Sequence, residues 1–420
     1  MAGKWNGIYT GLHRSCPSGF ALELSQKLPS LNAKDLRQAL DDGAVKFLSI
    51  DTNIFDQYHN GLEFGLLKRL SQFRNSEIKF VLSEIVYREV RAHMIKEALD
   101  SQAKLAAALK EVGGRWAVDT ETRKAASDVL FRGQQASDAM QERLDAFKRV
   151  TEFEIVPAQG HIEIADLVDD YFNGGLPFEN KVDKKHEFPD AIALRSLNEY
   201  ARQRECLMLV VSNDGGWKEF CRASSNLACV STLGEAMALL QKLPLVTATT
   251  LTERYEAGDL PELEKAISDR LAAYIDGMDL YVDASSSFAY DYEMPQSTFS
   301  AISYFDAPQF KVVQHNEDEE LYVLETTVYA KVDVECDFTF TVRDPYDKDE
   351  FPIGGTSPIL TTEMRFVLTV TIVGDPSAAF DINETEVIES DDWVDFGHVE
   401  PDFDHDDRDF EDAEPDVDEP

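Results

Sequence analysis

Between residues 45 and 243, short apolar runs of strand length alternate with stretches of helical period. That alternation restricts this part of the chain to a parallel α/β sheet. The strand candidates are Val45-Lys-Phe-Leu-Ser-Ile50, Ile78-Lys-Phe-Val-Leu82, Phe153-Glu-Ile-Val156, Leu207-Met-Leu-Val-Val211 and Ala228-Cys-Val230. Helical stretches follow near Leu62 to Phe73, from Ser83 as an N-cap, from Pro189 through Tyr200, from Trp217 and from Leu233 to Leu243. Residues 91–150 are alanine-rich and helical, with Gly113-Gly114 and Gly133 predicted as the breaks between two or three helices.

Beyond residue 245 the period changes to two. Val332, Val334, Cys336, Phe338, Phe340 and Val342 alternate with polar residues, as do Met364, Phe366, Leu368, Val370 and Ile372. This pattern predicts half-buried antiparallel strands in a separate β-rich α+β domain over 246–380. From Asp381 to the end, 19 acidic residues stand against Arg408 alone, which predicts a disordered acidic tail over 381–420. Its reading as a solubilising tail is favoured over that of a nucleic-acid mimic. Residues 1–43 read as an N-terminal extension and 44–245 as the α/β domain.

With 420 residues, 43% of them hydrophobic, the chain is long enough for two or three domains with a sizeable core. The net charge of -39 excludes generic electrostatic attraction of nucleic acid by the surface as a whole. Five scattered cysteines form no CxxC pair, which argues against a disulfide framework or a zinc site. No apolar run is long enough to span a bilayer, and the first residues lack the apolar stretch of a signal peptide. The expectation is a cytoplasmic protein with reduced thiols and no membrane partner.

In an open α/β sheet, sites form at the carboxyl ends of the strands. Asp51 directly follows the first strand, and Asp214 lies three residues after Val211. Asp190 sits in the first turn of its helix, where the dipole favours an anion. Glu89 lies on the helix after the second strand, with Glu84 an alternative one and a half turns earlier. Carboxylates brought together repel one another by about 1–4 kcal/mol per close pair. A divalent cation relieves the repulsion, and all-oxygen donors select Mg²⁺ or Mn²⁺. Glu187 is a further candidate ligand. Asn53 and Ser212 are candidates for orienting the carboxylates, and Lys181, Lys184 and Lys185 for phosphate contact.

Four stretches carry a family resemblance. Phe47-Leu-Ser-Ile-Asp-Thr-Asn-Ile54 resembles the opening strand of PIN-domain nucleases, with Asp51 as the first metal-ligating acid. Leu82-Ser-Glu-Ile-Val-Tyr-Arg-Glu-Val90 resembles the second motif, with Glu89 in its acidic position. Glu187-Phe-Pro-Asp-Ala-Ile-Ala-Leu194 resembles the third, with Asp190, and Val210-Val-Ser-Asn-Asp-Gly-Gly-Trp217 the fourth, with Ser212, Asp214 and an aromatic. The four occur in order, and the arrangement is closest to larger bacterial PIN-like proteins with a helical insertion, here 91–150. The stretch between Glu89 and Asp190 exceeds that of compact members, and the resemblance does not reach the C-terminal domain.

The resemblance implies a Mg²⁺- or Mn²⁺-dependent endonuclease acting on RNA or single-stranded nucleic acid, RNA ahead of DNA. Asp51, Glu89, Asp190 and Asp214 would be its catalytic ligands. It also admits a toxin or phage-defence setting, a homodimer, and a regulatory protein partner through the β-rich domain. The alternative is a non-catalytic PIN-like scaffold. An aspartyl phosphatase ranks below both, because the position two residues after Asp51 is Asn53 rather than a second aspartate.

Overall fold

The computed structural model describes residues 33–178, 187–241, 246–307, 309–343 and 350–402. The chain divides into two compact units, each made from separate stretches. The first takes residues up to Leu251 with Phe310–Glu325 and Thr371–Asp381, and the second takes Thr252–Gln309, Thr326–Val370 and the residues from Ile382. No described helix is long and apolar enough to cross a membrane.

The first unit opens with α1 (Ala33–Asp41), β1 (Val45–Ile50), α2 (Thr52–Gln57), α3 (Gly65–Arg69) and a 3₁₀ turn over Leu70–Asn75. Next come β2 (Lys79–Ser83), α4 (Glu84–Trp116), α5 (Thr120–Leu130), α6 (Ala136–Thr151) and β3 (Glu154–Val156). After these lie α7 (Ile164–Asn173), α8 (Phe188–Gln203), β4 (Leu207–Val211), α9 (Gly215–Ala223), β5 (Leu227–Val230) and α10 (Leu233–Leu240). The five strands form one parallel sheet in the order β3-β2-β1-β4-β5. Helices cover both of its faces, so Leu48, Ile50, Val81 and Leu209 to Val211 are wholly buried, as the continuous apolar runs require.

The expected helical stretch 91–150 is three helices, but the breaks fall elsewhere than predicted. Gly113-Gly114 lies inside α4, which runs on to Trp116 and stops where Ala117 turns left-handed at φ 53°. Each glycine costs a helix about 1 kcal/mol, too little to stop one of 33 residues rich in alanine, lysine and glutamate. Gly133, at φ 64°, does separate α5 from α6. The outer half of α4 and α5 leave Val112, Trp116, Val129 and Leu130 exposed, whereas α6 returns to the core. There Phe147 packs edge-on against Phe55 and Phe80 and, tilted, against Phe153. Helix α7, absent from the sequence reading, packs on α8 through Leu167, Phe178 and Ala191 and an Arg195–Asp170 ion pair.

The remaining elements are α11 (Val246–Glu256), α12 (Pro261–Ile275), β6 (Tyr281–Ser285), β7 (Ala289–Tyr292), β8 (Gln296–Phe305), β9 (Lys311–Asn316) and β10 (Leu321–Glu335). They are followed by β11 (Phe338–Arg343), β12 (Glu350–Thr356), β13 (Ile359–Gly374), β14 (Phe380–Ser390) and β15 (Trp393–His398). Two further sheets order their strands as β14-β13-β10-β8 and β12-β11-β7, with antiparallel pairing between β10 and β8 and between β11 and both neighbours. The alternation from Val332 to Val342 is split at Cys336-Asp337 between β10 and β11, which lie in different sheets. β15 pairs with β6 in parallel.

The acidic stretch from Asp381 is not disordered throughout, because β14 and β15 carry it to His398. Ile388 and Val394 point inward while Asp381, Glu384 and Asp395 face solvent. Charged residues suit the edge strand of a sheet, which is where β14 lies. The residues from 403 onward are outside the described ones.

Within the first unit, Lys311 and Glu325 are cross-strand partners on β9 and β10, joined at 2.9 Å, with Glu325 buried. The Glu325 carboxylate packs against Gly234 in the first turn of α10, where any Cβ would collide with it. A carboxylate is favoured at this end of a helix. Gly234→Ala is therefore expected to lower stability by about 1–3 kcal/mol in denaturant titration. The same change in a Glu325→Ala background should cost clearly less, and an equal cost in both backgrounds would refute this packing.

Candidate active site

The sheet order reverses between β1 and β4, since successive strands run outward to opposite sides of that pair. Such a switch point opens a crevice beyond the strand ends. Register places the key residues there. Ile50 pairs with Val211, so Asp51 lies beside Ser212, and the Asp51 amide donates to the Val211 carbonyl at 2.9 Å.

Asp51 is buried and caps α2. One carboxylate oxygen accepts from the Thr52 amide at 2.6 Å and the other from the Ser212 hydroxyl at 2.7 Å. Thr52 also reaches α4, where its hydroxyl donates to Glu89 Oε2 at 2.8 Å. Asp214 caps α9 by accepting from the Trp217 amide at 3.0 Å. The buried Trp217 indole in turn donates Nε1–H to Asp190 Oδ1 on α8 at 2.8 Å. The four acids are thus tied in two pairs. Thr52 bridges Asp51 and Glu89, and Trp217 bridges Asp214 and Asp190, each bridge using its amide for one acid and its side chain for the other.

Ser212 connects the two pairs. Its hydroxyl oxygen accepts from the Asp214 amide at 3.1 Å and from Asn53 Nδ2 at 3.3 Å while its proton goes to Asp51. Asn53 and Ser212 therefore do touch the carboxylate set. Thr52 and the indole of Trp217 are functional groups that the sequence reading missed. Thr52 was visible only as a neighbour of Asp51, and Trp217 only as the aromatic residue of the fourth motif.

Charge agrees with the convergence. Burial raises the Asp51 pKa from 3.8 to about 7, opposed by the Ser212 hydrogen bond and reinforced by the charges of Asp190 and Asp214. Asp190 is raised to about 6, again chiefly by burial, against the Trp217 hydrogen bond and with Glu89, Asp214 and Glu187 adding repulsion. Glu187, at the start of α8, therefore lies within the electrostatic reach of the site. Glu84 does not serve as the alternative ligand, since its carboxylate binds the Ala158 amide and Arg88. Lys181, Lys184 and Lys185 lie outside the described residues.

A polar ladder leads away from Glu89 along α2 and α4. Thr52–Glu89 is its first rung. His93 Nδ1 meets Asp56 at 3.0 Å in the second, and Asn60 Nδ2 meets Glu97 Oε2 at 3.2 Å in the third. The four-residue steps bring Glu89, His93 and Glu97 to one face of α4 and Thr52 and Asp56 to one face of α2, while Asn60 lies in the turn beyond α2.

Among the described residues, no three His, Cys, Asp or Glu side chains form a ready-made metal cage. The donor set nevertheless suits a hard divalent ion. Glu89, Asp190 and Asp214 each have one carboxylate oxygen held by a protein donor, and among the described residues the second oxygen carries no hydrogen bond. The buried Asn53 Oδ1 is likewise without a hydrogen-bond partner. Oxygen acceptors and crowded negative charge are what Mg²⁺ or Mn²⁺ neutralises.

A family model described as the PIN domain matches residues 48–217, a span that begins in β1 and ends at Trp217. No family matches the C-terminal region. Comparison with curated proteins and with solved structures gives no match.

The raised carboxylate pKa values have a consequence for stability. Asp51 binds its proton more tightly in the folded chain than in the unfolded one. Its contribution is complete below pH 3.8 and is lost as pH rises through about 7, on the order of 4 kcal/mol in all. Metal-free protein should therefore melt at lower temperature at about pH 8 than at about pH 5, with a flatter profile for Asp51→Asn and recovery of the wild type by Mn²⁺ at the higher pH. Parallel profiles for the two proteins would contradict the assignment.

Proposed function

We propose that the PIN domain carried by residues 48–217 is a metal-dependent nuclease that hydrolyses phosphodiesters in RNA or single-stranded nucleic acid, RNA ahead of DNA. The observation that carries the reading is the gathering of Asp51, Glu89, Asp190 and Asp214 at the switch point, close enough that Asp51 and Asp190 feel the neighbouring charges. Residues that repel one another without a ligand are stabilised by a bound cation, which explains why the chain keeps them together.

Asp51, Glu89, Asp190 and Asp214 would hold Mg²⁺ or Mn²⁺, with Glu187 at the edge of the set. The ion, when bound, lowers the pKa of water and offsets charge developing on the phosphate. The protein's own part is orientation. Thr52 and Trp217 hold one oxygen each of Glu89, Asp190 and Asp214, leaving the second oxygen of these three without a protein donor among the described residues, whereas both oxygens of Asp51 are held by Thr52 and Ser212. Asn53 supports this arrangement from behind, its Nδ2 donating to the Ser212 hydroxyl. Attack of water on phosphorus, with departure of the 3′-oxygen, leaves a 5′-phosphate and a 3′-hydroxyl. The family resemblance admits a toxin or phage-defence setting.

The reading is tested with labelled single-stranded RNA and DNA in Mn²⁺, Mg²⁺ or chelator. Asp51→Asn and Asp190→Asn should abolish cleavage while the circular dichroism spectrum is retained. Trp217→Phe, which keeps the ring and loses the N–H, should weaken Mn²⁺ binding about tenfold. Cleavage that survives Asp190→Asn would overturn the nuclease assignment. A wild type that binds no ion at millimolar concentration would favour the non-catalytic scaffold.

A further inference from the structure

One rung of the polar ladder between α2 and α4 is not used by the carboxylate site. His93 lies one turn beyond Glu89 on α4, and Asp56 one turn beyond Thr52 on α2. Both oxygens of Asp56 face His93 Nδ1, at 3.0 and 3.1 Å. A carboxylate only accepts, so Nδ1 carries the proton of that contact. Nε2 is then the nitrogen that gains and releases a proton, and among the described residues it has no hydrogen bond. The ring is half-exposed, so solvent and substrate can reach it. Four helical residues rise about 6 Å, which sets the imidazole one turn from the Glu89 carboxylate on the same face. We propose that His93, oriented by Asp56, is the general acid that protonates the departing 3′-oxygen of the nucleic-acid substrate. This step rests on the nuclease reading of the neighbouring carboxylates.

The reaction needs a proton removed at one side of phosphorus and one delivered at the other. A bound cation eases removal from water. Delivery falls to a protein group, because an alkoxide leaving without a proton is a strongly basic anion. Imidazole is the side chain whose ordinary titration lies between pH 5 and 8, so near neutrality it has a proton to give. The bland role for this pair, bracing α2 on α4, is already filled by Thr52–Glu89 and Asn60–Glu97 on either side. A half-exposed ion pair also adds little to stability. Around the ring stand Asp56 from α2, Glu89 and Glu97 on α4 and, beyond Asn60, the pair of Arg143 from α6 with Glu63.

The step balances. The water oxygen bonds phosphorus as the P–O3′ bond breaks, and the electron pair of that bond stays on the 3′-oxygen. That oxygen takes the Nε2 proton and leaves as a hydroxyl. The proton lost by the water passes to solvent, and solvent returns one to Nε2. Asp56 keeps its hold on Nδ1–H throughout and is a positioning residue.

Full-length protein in Mn²⁺ would be given two versions of a single-stranded oligonucleotide, one with the natural 3′-oxygen at the cleaved position and one with sulfur there. Thiols of the cysteine kind titrate at about 8.5, so a thiolate leaves without help from an acid. His93→Gln should slow cleavage of the oxygen version about 100-fold or more, and the loss should vanish on the sulfur version. Asp56→Asn should show the same selectivity with a smaller loss, whereas Asp190→Asn should abolish cleavage of both. A readout free of activity is ¹⁵N NMR of histidine-labelled, metal-free protein at alkaline pH, with the His93 signals identified by their absence from His93→Gln. The neutral ring should carry its proton on Nδ1, and Asp56→Asn should raise the share protonated on Nε2. Equal losses on the two substrates, no loss on either, or a wild-type ring protonated on Nε2 would overturn the proposal. Wild type that binds Mn²⁺ and cuts neither substrate would remove the nuclease reading and this step with it, even with the Nδ1 tautomer in place.

Discussion

The pairing of Ile50 with Val211 is the constraint on which the site depends. It joins two strands that are far apart in sequence at the point where the sheet reverses direction, and it does so at their carboxyl ends. One step beyond it stand Asp51 and Ser212, joined at 2.7 Å. Side chains alternate along a strand, so a register shift of one residue would turn Asp51 away from the crevice. The wholly apolar β4 and the buried positions of β1 oppose such a slip, because it would exchange side chains of different size between two packed faces. The hydrophobic core and the carboxylate geometry are therefore set by the same packing.

From that fixed point, the other acids are recruited by donors and not by packing alone. A buried carboxylate is costly unless hydrogen bonds or a cation compensate. Thr52 and Trp217 supply those hydrogen bonds in matching fashion, each joining a strand-end acid to a helix acid. The compensation is partial, since Asp51 and Asp190 keep raised pKa values of about 7 and about 6. A fully satisfied network would stabilise the fold more and leave less affinity for an ion. The partial satisfaction is what a site for a hard cation requires.

The legible parts of the sequence were those where one physical rule acts locally. Val45–Ile50 and Leu207–Val211 are continuous apolar runs, and both strands fall on the predicted residues. The acids at their ends, and Asp190 in a first turn, follow from strand and helix termini. The bridging roles of Thr52 and Trp217 were not legible, because they depend on which residue of a distant helix lies opposite. Gly113-Gly114 misled for another reason: local propensity was outweighed by the length of the helix around it. The acidic composition after Asp381 concealed an alternation that places Ile388 and Val394 inward.

Net charge sets the remaining problem, since a chain at -39 must admit a polyanion if it is a nuclease. The charge is unevenly distributed. Residues 91–150 hold 11 lysines and arginines against 9 acids, whereas 19 of the chain's 79 acids lie in the stretch 381–420. At physiological salt the Debye length is about 8 Å, so distant acids are screened and the crevice is governed by its nearest charges. There the dominant charges are the carboxylates themselves. Without an ion, they repel both one another and a phosphate. A bound divalent cation would offset that repulsion and would itself supply the positive charge facing a phosphate. On the nuclease reading, the acidic site and an anionic substrate would be compatible only with a cation bound, so metal occupancy would be needed to admit substrate as well as for chemistry.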